Sequence, residues 1–284
     1  MFDRYVVVDW SAHSTPKLGR DSVWIAVSDA AGDSVRNLPT RSAALAHLAE
    51  VAAADTSASV LLGVDFSLGY PAGTARALGL EGTPWSAMWE LLDDLVCDDD
   101  HNANNRFAVA ADLNRRLTGT ASPFWGCPPS RASDHLACTK PTWTGGLGTW
   151  RTVEELLRTH GHRPFSSWQL LGAGAVGSQS LVGIPRLQRL RRSLGGRVEV
   201  WPFTTGLRVP DPGRIVVVEV WPSMMPFHAG AGEIRDAAQV VATARWLAAM
   251  GRDELLGSLF TPDVDDGAAE VVTSEEGWVL GVTA

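Results

Sequence analysis

RYVVVDWS, spanning Arg4–Ser11, is a valine-rich apolar run closed by an aspartate. Charge precedes it, and polar and turn-forming residues follow Ser11, so it reads as a buried strand. Asp9 stands at its end, where packing asks for no carboxylate. An ionised carboxylate is costly to bury unless it is paired or coordinates a metal. The pattern returns at Val60–Tyr70, VLLGVDFSLGY, with Asp65, and at Ile215–Pro222, IVVVEVWP, with Glu219. Three such strands, if neighbours in one sheet, deliver three carboxylates to one place.

Working outward, Ser22–Ser28 alternates as a second strand, Asp29–Asp33 forms a hairpin turn, and Ser34–Leu38 makes a short third strand. Thr40 offers an N-cap to a helix over Ser42–Ala54. A fourth strand, Val60–Asp65, laid parallel beside the first, brings Asp9 and Asp65 together. Further helices are expected over Pro84–Val96, Asn102–Leu117 and Thr152–Thr159, around an irregular Gly-, Pro- and Trp-rich stretch at 118–150. Pro185 is expected to start a helix running to Leu194. Strands follow at Arg197–Phe203 and Arg214–Trp221. Asp236–Met250 is the strongest helix, with Asp236 in its first turn and Gly251 as its C′ residue, and Gly277–Val282 reads as an edge strand.

At 284 residues, 45% hydrophobic and 20% charged, the chain has the composition of an ordinary soluble globular protein. It shows neither a membrane-length apolar run nor a basic-then-apolar leader, so a cytoplasmic location is expected. Three cysteines without CxxC spacing argue against a disulfide framework or a zinc site. A net charge of -8 does not suit a general nucleic-acid coat, although bound cations would offset metal-binding carboxylates. The twelve tryptophans are assigned by default to core packing.

The chemistry-bearing set is Asp9, Asp65, Glu219 and Asp236. Carboxylate oxygens suit hard cations such as Mg²⁺ or Mn²⁺, and two such ions can activate water and stabilise a leaving oxygen in phosphodiester hydrolysis. The alternative is that each is a strand-end or capping carboxylate satisfied locally. His13, just after Asp9, is a candidate for phosphate contact or proton transfer, and Arg131 and Lys140 for phosphate binding. The Arg186–Arg192 cluster reads more simply as a solvated helix face. Trp125, Trp143 and Trp150 are candidate base-stacking residues or the apolar body of the insertion. The remaining histidines, His47, His101, His135, His160, His162 and His228, lack zinc-helix spacing, and Ser67 lacks the nucleophile-elbow pattern. Gly172–Gly177, GAGAVG, matches the dinucleotide fingerprint, but no clear strand precedes it and Gly183 and Pro185 argue against a long helix after it. A Gly-rich turn near the acidic site is the simpler reading.

The order VVVDWSA, hairpin, helix, LLGVDFSLGYPAG, insertion, VVVEVWPS and RDAAQVVATARWL resembles the RNase H-like fold. More closely, it is similar to the predicted-nuclease family called domain of unknown function 429, with its VDWSA-like opening, G-x-D-x-x-x-G-x-P loop and E-V-x-P strand. The resemblance implies an α/β fold: an RNase H-like mixed sheet flanked by helices, with a large helical and irregular insertion. It implies one domain over 1–284, with core segments 1–66 and 196–250, an insertion at 67–195 and a C-terminal extension at 251–284. It also implies metal ligation by Asp9, Asp65 and Glu219, with Asp236 as the fourth carboxylate, a Mg²⁺ or Mn²⁺ cofactor and nucleic acid as the candidate partner. Two alternatives stay open: an actin-like nucleotide-dependent phosphotransferase, and a non-catalytic binding or scaffold protein on the same fold.

Overall fold

The computed structural model describes residues 2–142, 145–172, 175–224, 229–230 and 232–283. In chain order the elements are β1 (Arg4–Asp9), β2 (Val23–Asp29), β3 (Gly32–Leu38), α1 (Arg41–Ala53), β4 (Val60–Val64), α2 (Thr74–Ala77), α3 (Pro84–Leu95), α4 (Arg106–Leu117), α5 (Thr152–Thr159), α6 (Gly177–Leu194), β5 (Val198–Val200), β6 (Ile215–Glu219), α7 (Arg235–Arg252), α8 (Leu256–Leu259) and α9 (Asp266–Val271). The described strands form one six-stranded sheet in the order β3-β2-β1-β4-β6-β5. β2 runs antiparallel to both neighbours, and β1, β4, β6 and β5 run parallel. The fold is therefore α/β with a mixed sheet flanked by helices.

Strand side chains alternate between the two faces, and both faces are covered. Val6 and Val8 of β1, with Leu62, Val64 and Val217, point into a core shared with α1, α3, α4 and α6. Val7, Leu61, Val216 and Val218 point into a second core built on α7 and the segment after it. Burial on both faces accounts for the near-continuous apolar runs of the parallel strands.

The expected strands and helices recur, with four differences. α6 begins at Gly177 and contains Pro185 in its middle. Proline leaves the Leu181 carbonyl without its intrahelical donor, but Leu181, Val182, Ile184, Leu187 and Leu190 are all buried by the helix, and that burial outweighs one lost bond. Gly251 lies inside α7 rather than after it, and glycine suits the position because a Cβ there would overlap the Tyr5 hydroxyl. Only Val198–Val200 of the expected 197–203 strand pairs, before the chain turns at Trp201–Pro202. Gly277–Val282 is not a strand. It makes one isolated bridge, Val279 to Glu219, at the end of β6.

The C-terminal segment instead fastens the loop that follows β4. Glu275 accepts from the Gly73 and Ala75 N–H groups, both at 2.7 Å, and Glu276 accepts from Ala72 N–H at 2.8 Å and Thr152 N–H at 2.6 Å. Gly69 is required there, because a Cβ would overlap the Glu275 carbonyl. No described helix is long and apolar enough to cross a membrane.

Candidate functional site

β1 and β4 are parallel neighbours, so Asp9 and Asp65 emerge side by side at their carboxyl ends. That edge of an α/β sheet is where ligands usually bind. A cleft of about 1210 Å³ opens there. Asp9, Asp65, Glu219 and Asp236 all line it, as does His13. The structure thus brings the four acidic candidates to one cavity but arranges them unequally.

Asp9 and Asp65 lie within hydrogen-bonding reach of each other. Burial, followed by the Asp65 charge, pushes the Asp9 carboxyl well above the ordinary carboxylate range. Burial also raises Asp65, to about 6, against the opposing pull of its hydrogen bonds. Those bonds fix its orientation. Trp10 N–H donates to Oδ1 at 2.7 Å, and Gln179 Nε2 donates to Oδ2 at 3.3 Å and to the Trp10 carbonyl at 2.5 Å. Asp236 adds its charge to the field at Asp9 and accepts from Asp21 N–H at 2.7 Å.

Glu219, expected as a third ligand, is matched with a cation of the chain itself. Arg151 Nη2 and Nη1 donate to its two oxygens at 2.6 and 2.8 Å, and Leu68 N–H donates at 3.2 Å. Arg151 also donates to Glu154 at 3.1 Å and to the Glu276 carbonyl at 2.9 Å. Burial raises Glu154 to about 7, although Arg151 opposes the shift. A carboxylate on a fully buried strand needs a countercharge, and the insertion supplies one. Among the described residues no group of three or more His, Cys, Asp or Glu side chains is arranged to hold a metal ion. The compact part of the site is therefore the Asp9–Asp65 pair.

The other candidates divide. Burial first, then the Lys17 and Arg106 charges, lower the His13 pKa, which keeps its ring neutral near pH 7. Arg131 is exposed on a short turn and Lys140 lies over the Trp150 ring, and neither lines the cleft. Arg186 binds Asp98, while Arg189 and Arg192 bind Asp93, so the basic cluster is consumed within the fold. Gly172, Ala175 and Val176 line the cleft, in keeping with a turn near the acidic site. Ala173 and Gly174 of that motif, Trp143 and His228 lie outside the described residues.

Three contributors were not apparent from the sequence. Gln179 stands on the first turns of α6, in the half of that helix that the glycines and Pro185 conceal. Arg106 lines the cleft and is braced by Ser178, Ser14 and Asn104. Arg41, fully buried, holds the Ser11 and His13 carbonyls at 2.8 Å each and so fixes the loop after β1. An arginine at the start of a helix carries no mark of that task. Compared with models of known families, with curated proteins and with solved structures, the chain matches none.

Proposed function

We propose that the chain is a metal-dependent phosphodiesterase of the RNase H-like, predicted-nuclease kind, with Asp9 and Asp65 holding Mg²⁺ or Mn²⁺. The observation that carries this reading is the pairing of these two carboxylates at adjoining strand ends in the cleft. Two apposed, partly buried carboxylates cannot both ionise cheaply unless a proton or a cation lies between them. Their all-oxygen donor set suits a hard cation. The lack of a third assembled ligand also fits, because Mg²⁺ is commonly held by one or two carboxylates, with water and substrate phosphate completing its shell. The sheet order, with Asp9 on the central strand and α7 packed across β1 and β2, supports the RNase H-like assignment.

A divalent cation at this pair supplies charge stabilisation to a phosphoryl group and eases deprotonation of water. The chain's own residues do the rest. Trp10 N–H and Gln179 hold Asp65 in one orientation, and Arg106 places a braced cation beside an anionic substrate. Neutral His13 is suited to accept a proton. Asp236 shapes the field at Asp9 and, through Asp21, ties α7 to the loop before β2.

Calorimetric titration of Mn²⁺ and Mg²⁺ into wild type and Asp65→Ala, followed by a phosphodiester hydrolysis assay, tests the proposal. Saturable binding and turnover, both lost in Asp65→Ala, are expected. The Arg151–Glu219 pairing favours a second reading, a phosphoester-binding protein without turnover, and metal binding with no hydrolysis would select it.

A further inference from the structure

The cleft lining mixes two chemistries: Asp9, Asp65, Arg106 and Gln179 among its polar members, and Leu157, Pro164, Phe165, Leu171, Trp221 and Val240 among its apolar ones. Phe165 is 39% and Leu171 45% exposed, which makes them two of the few large apolar side chains open to solvent among the described residues. A folded chain rarely leaves such residues together beside a charged centre unless they contact a ligand.

The basic groups point the same way. A protein that grips a nucleic-acid duplex tracks many phosphates with lysine and arginine, and its interface is strongly positive. Here no lysine lines the cleft, and its arginines are Arg20, Arg106, Arg151 and Arg235. Arg151 is committed to Glu219 and Glu154. The arginines of α6 are spent on Asp93 and Asp98, Arg191 lies over the Trp85 ring, and none of the four lines the cleft. The acidic pair also lies within a cavity walled by the insertion (Phe165, Leu171, Gln179), α5 and α7 rather than on an open sheet face.

We infer that the substrate is a small phosphoester with an apolar or aromatic alcohol portion, seated against Phe165 and Leu171 with its phosphate toward Asp9, Asp65 and Arg106, and not a nucleic-acid duplex. This rests on the phosphodiesterase reading and narrows it to a substrate class. Its chemistry is hydrolysis: water adds to phosphorus, the ester P–O bond breaks, and the alcohol leaves with a proton.

The test compares p-nitrophenyl thymidine 5′-phosphate, a single-stranded oligonucleotide and a blunt DNA duplex as substrates with Mn²⁺, for wild type, Phe165→Ala, Leu171→Ala and Phe165→Tyr. Mn²⁺ affinity is measured separately by calorimetry. We expect turnover of the aryl ester with little salt dependence. KM should rise roughly tenfold in each alanine variant, in line with the loss of one apolar contact, and recover in Phe165→Tyr, with Mn²⁺ affinity unchanged throughout. Preferential cleavage of the duplex or the single strand with steep salt dependence, or alanine variants with unchanged KM, overturns the inference while leaving the phosphodiesterase reading intact. Absence of both Mn²⁺ binding and turnover on every substrate overturns both.

Discussion

Arg151 holds both carboxylate oxygens of Glu219, Nη2 to Oε1 at 2.6 Å and Nη1 to Oε2 at 2.8 Å, across 68 positions of sequence. The pair is buried, and Glu154 and the Glu276 backbone share the same guanidinium. The insertion, the third parallel strand and the C-terminal segment therefore meet on one cation.

Removing that cation leaves two buried carboxylates without a countercharge. Arg151→Met is expected to lower unfolding free energy by about 3–5 kcal/mol. Adding Glu219→Gln should recover part of the loss, because one of the stranded charges disappears. Urea denaturation of the two single variants and the double variant measures the coupling directly.

The Asp9–Asp65 pair carries the opposite strain, like charge against like charge. Asp9→Asn is expected to stabilise the metal-free protein at pH 7.5 by about 1–3 kcal/mol, since it removes a carboxyl that burial and Asp65 hold far from its ordinary range. The same variant should lose Mn²⁺ binding. Thermal denaturation with chelator and with Mn²⁺ separates the effects: wild type shifts upward with metal and Asp9→Asn does not.

The pH dependence follows in sign from Asp65, whose pKa rises from 3.8 to about 6 on folding. Between those values the folded state holds more protons than the unfolded state, so stability falls as pH rises. Without metal, unfolding free energy should decline as pH rises from about 4 through about 6, and the raised carboxyls of Asp9 and Glu154 should carry the decline further. Mn²⁺ affinity should run the other way, strengthening as pH rises through about 6 and beyond, because both ligands must be deprotonated. Denaturant titrations and calorimetry across that range check both slopes.

Gly251 offers a test of packing between α7 and β1. A Cβ at this position overlaps the Tyr5 hydroxyl. Gly251→Ala should therefore cost about 1–3 kcal/mol despite alanine's better helix propensity. Tyr5→Phe in the same background should restore much of it, as read by the midpoint of urea unfolding.

The strand-and-helix skeleton was legible because it is written in local periodicity. RYVVVDWS, VLLGVDFS and IVVVEVWP announce strands with acidic ends, and Thr40 caps α1 where expected, accepting from Ala43 N–H at 3.1 Å. Bringing Asp9 beside Asp65 needed only the parallel crossover. What stayed hidden depends on long-range pairing. Nothing near Glu219 in sequence foretells that Arg151 will neutralise it, nor near Arg186–Arg192 that Asp93 and Asp98 will absorb their charge. The half of α6 that precedes Pro185 was hidden, because Gly183 and Pro185 disfavour a helix locally, while the half from Pro185 to Leu194 was expected. Gly183 is nevertheless needed, because a Cβ there would overlap the Phe66 ring, one residue from Asp65.

The loop after Asp65 is held by carboxylates that the ribosome adds late, with Ala72 and Glu276 separated by 204 positions. During synthesis the first four strands are exposed while this loop still lacks its fastening. That loop therefore gains its fastening only once the segment around Glu275 has been made. An early loop thus waits for late residues before its hydrogen bonds can form.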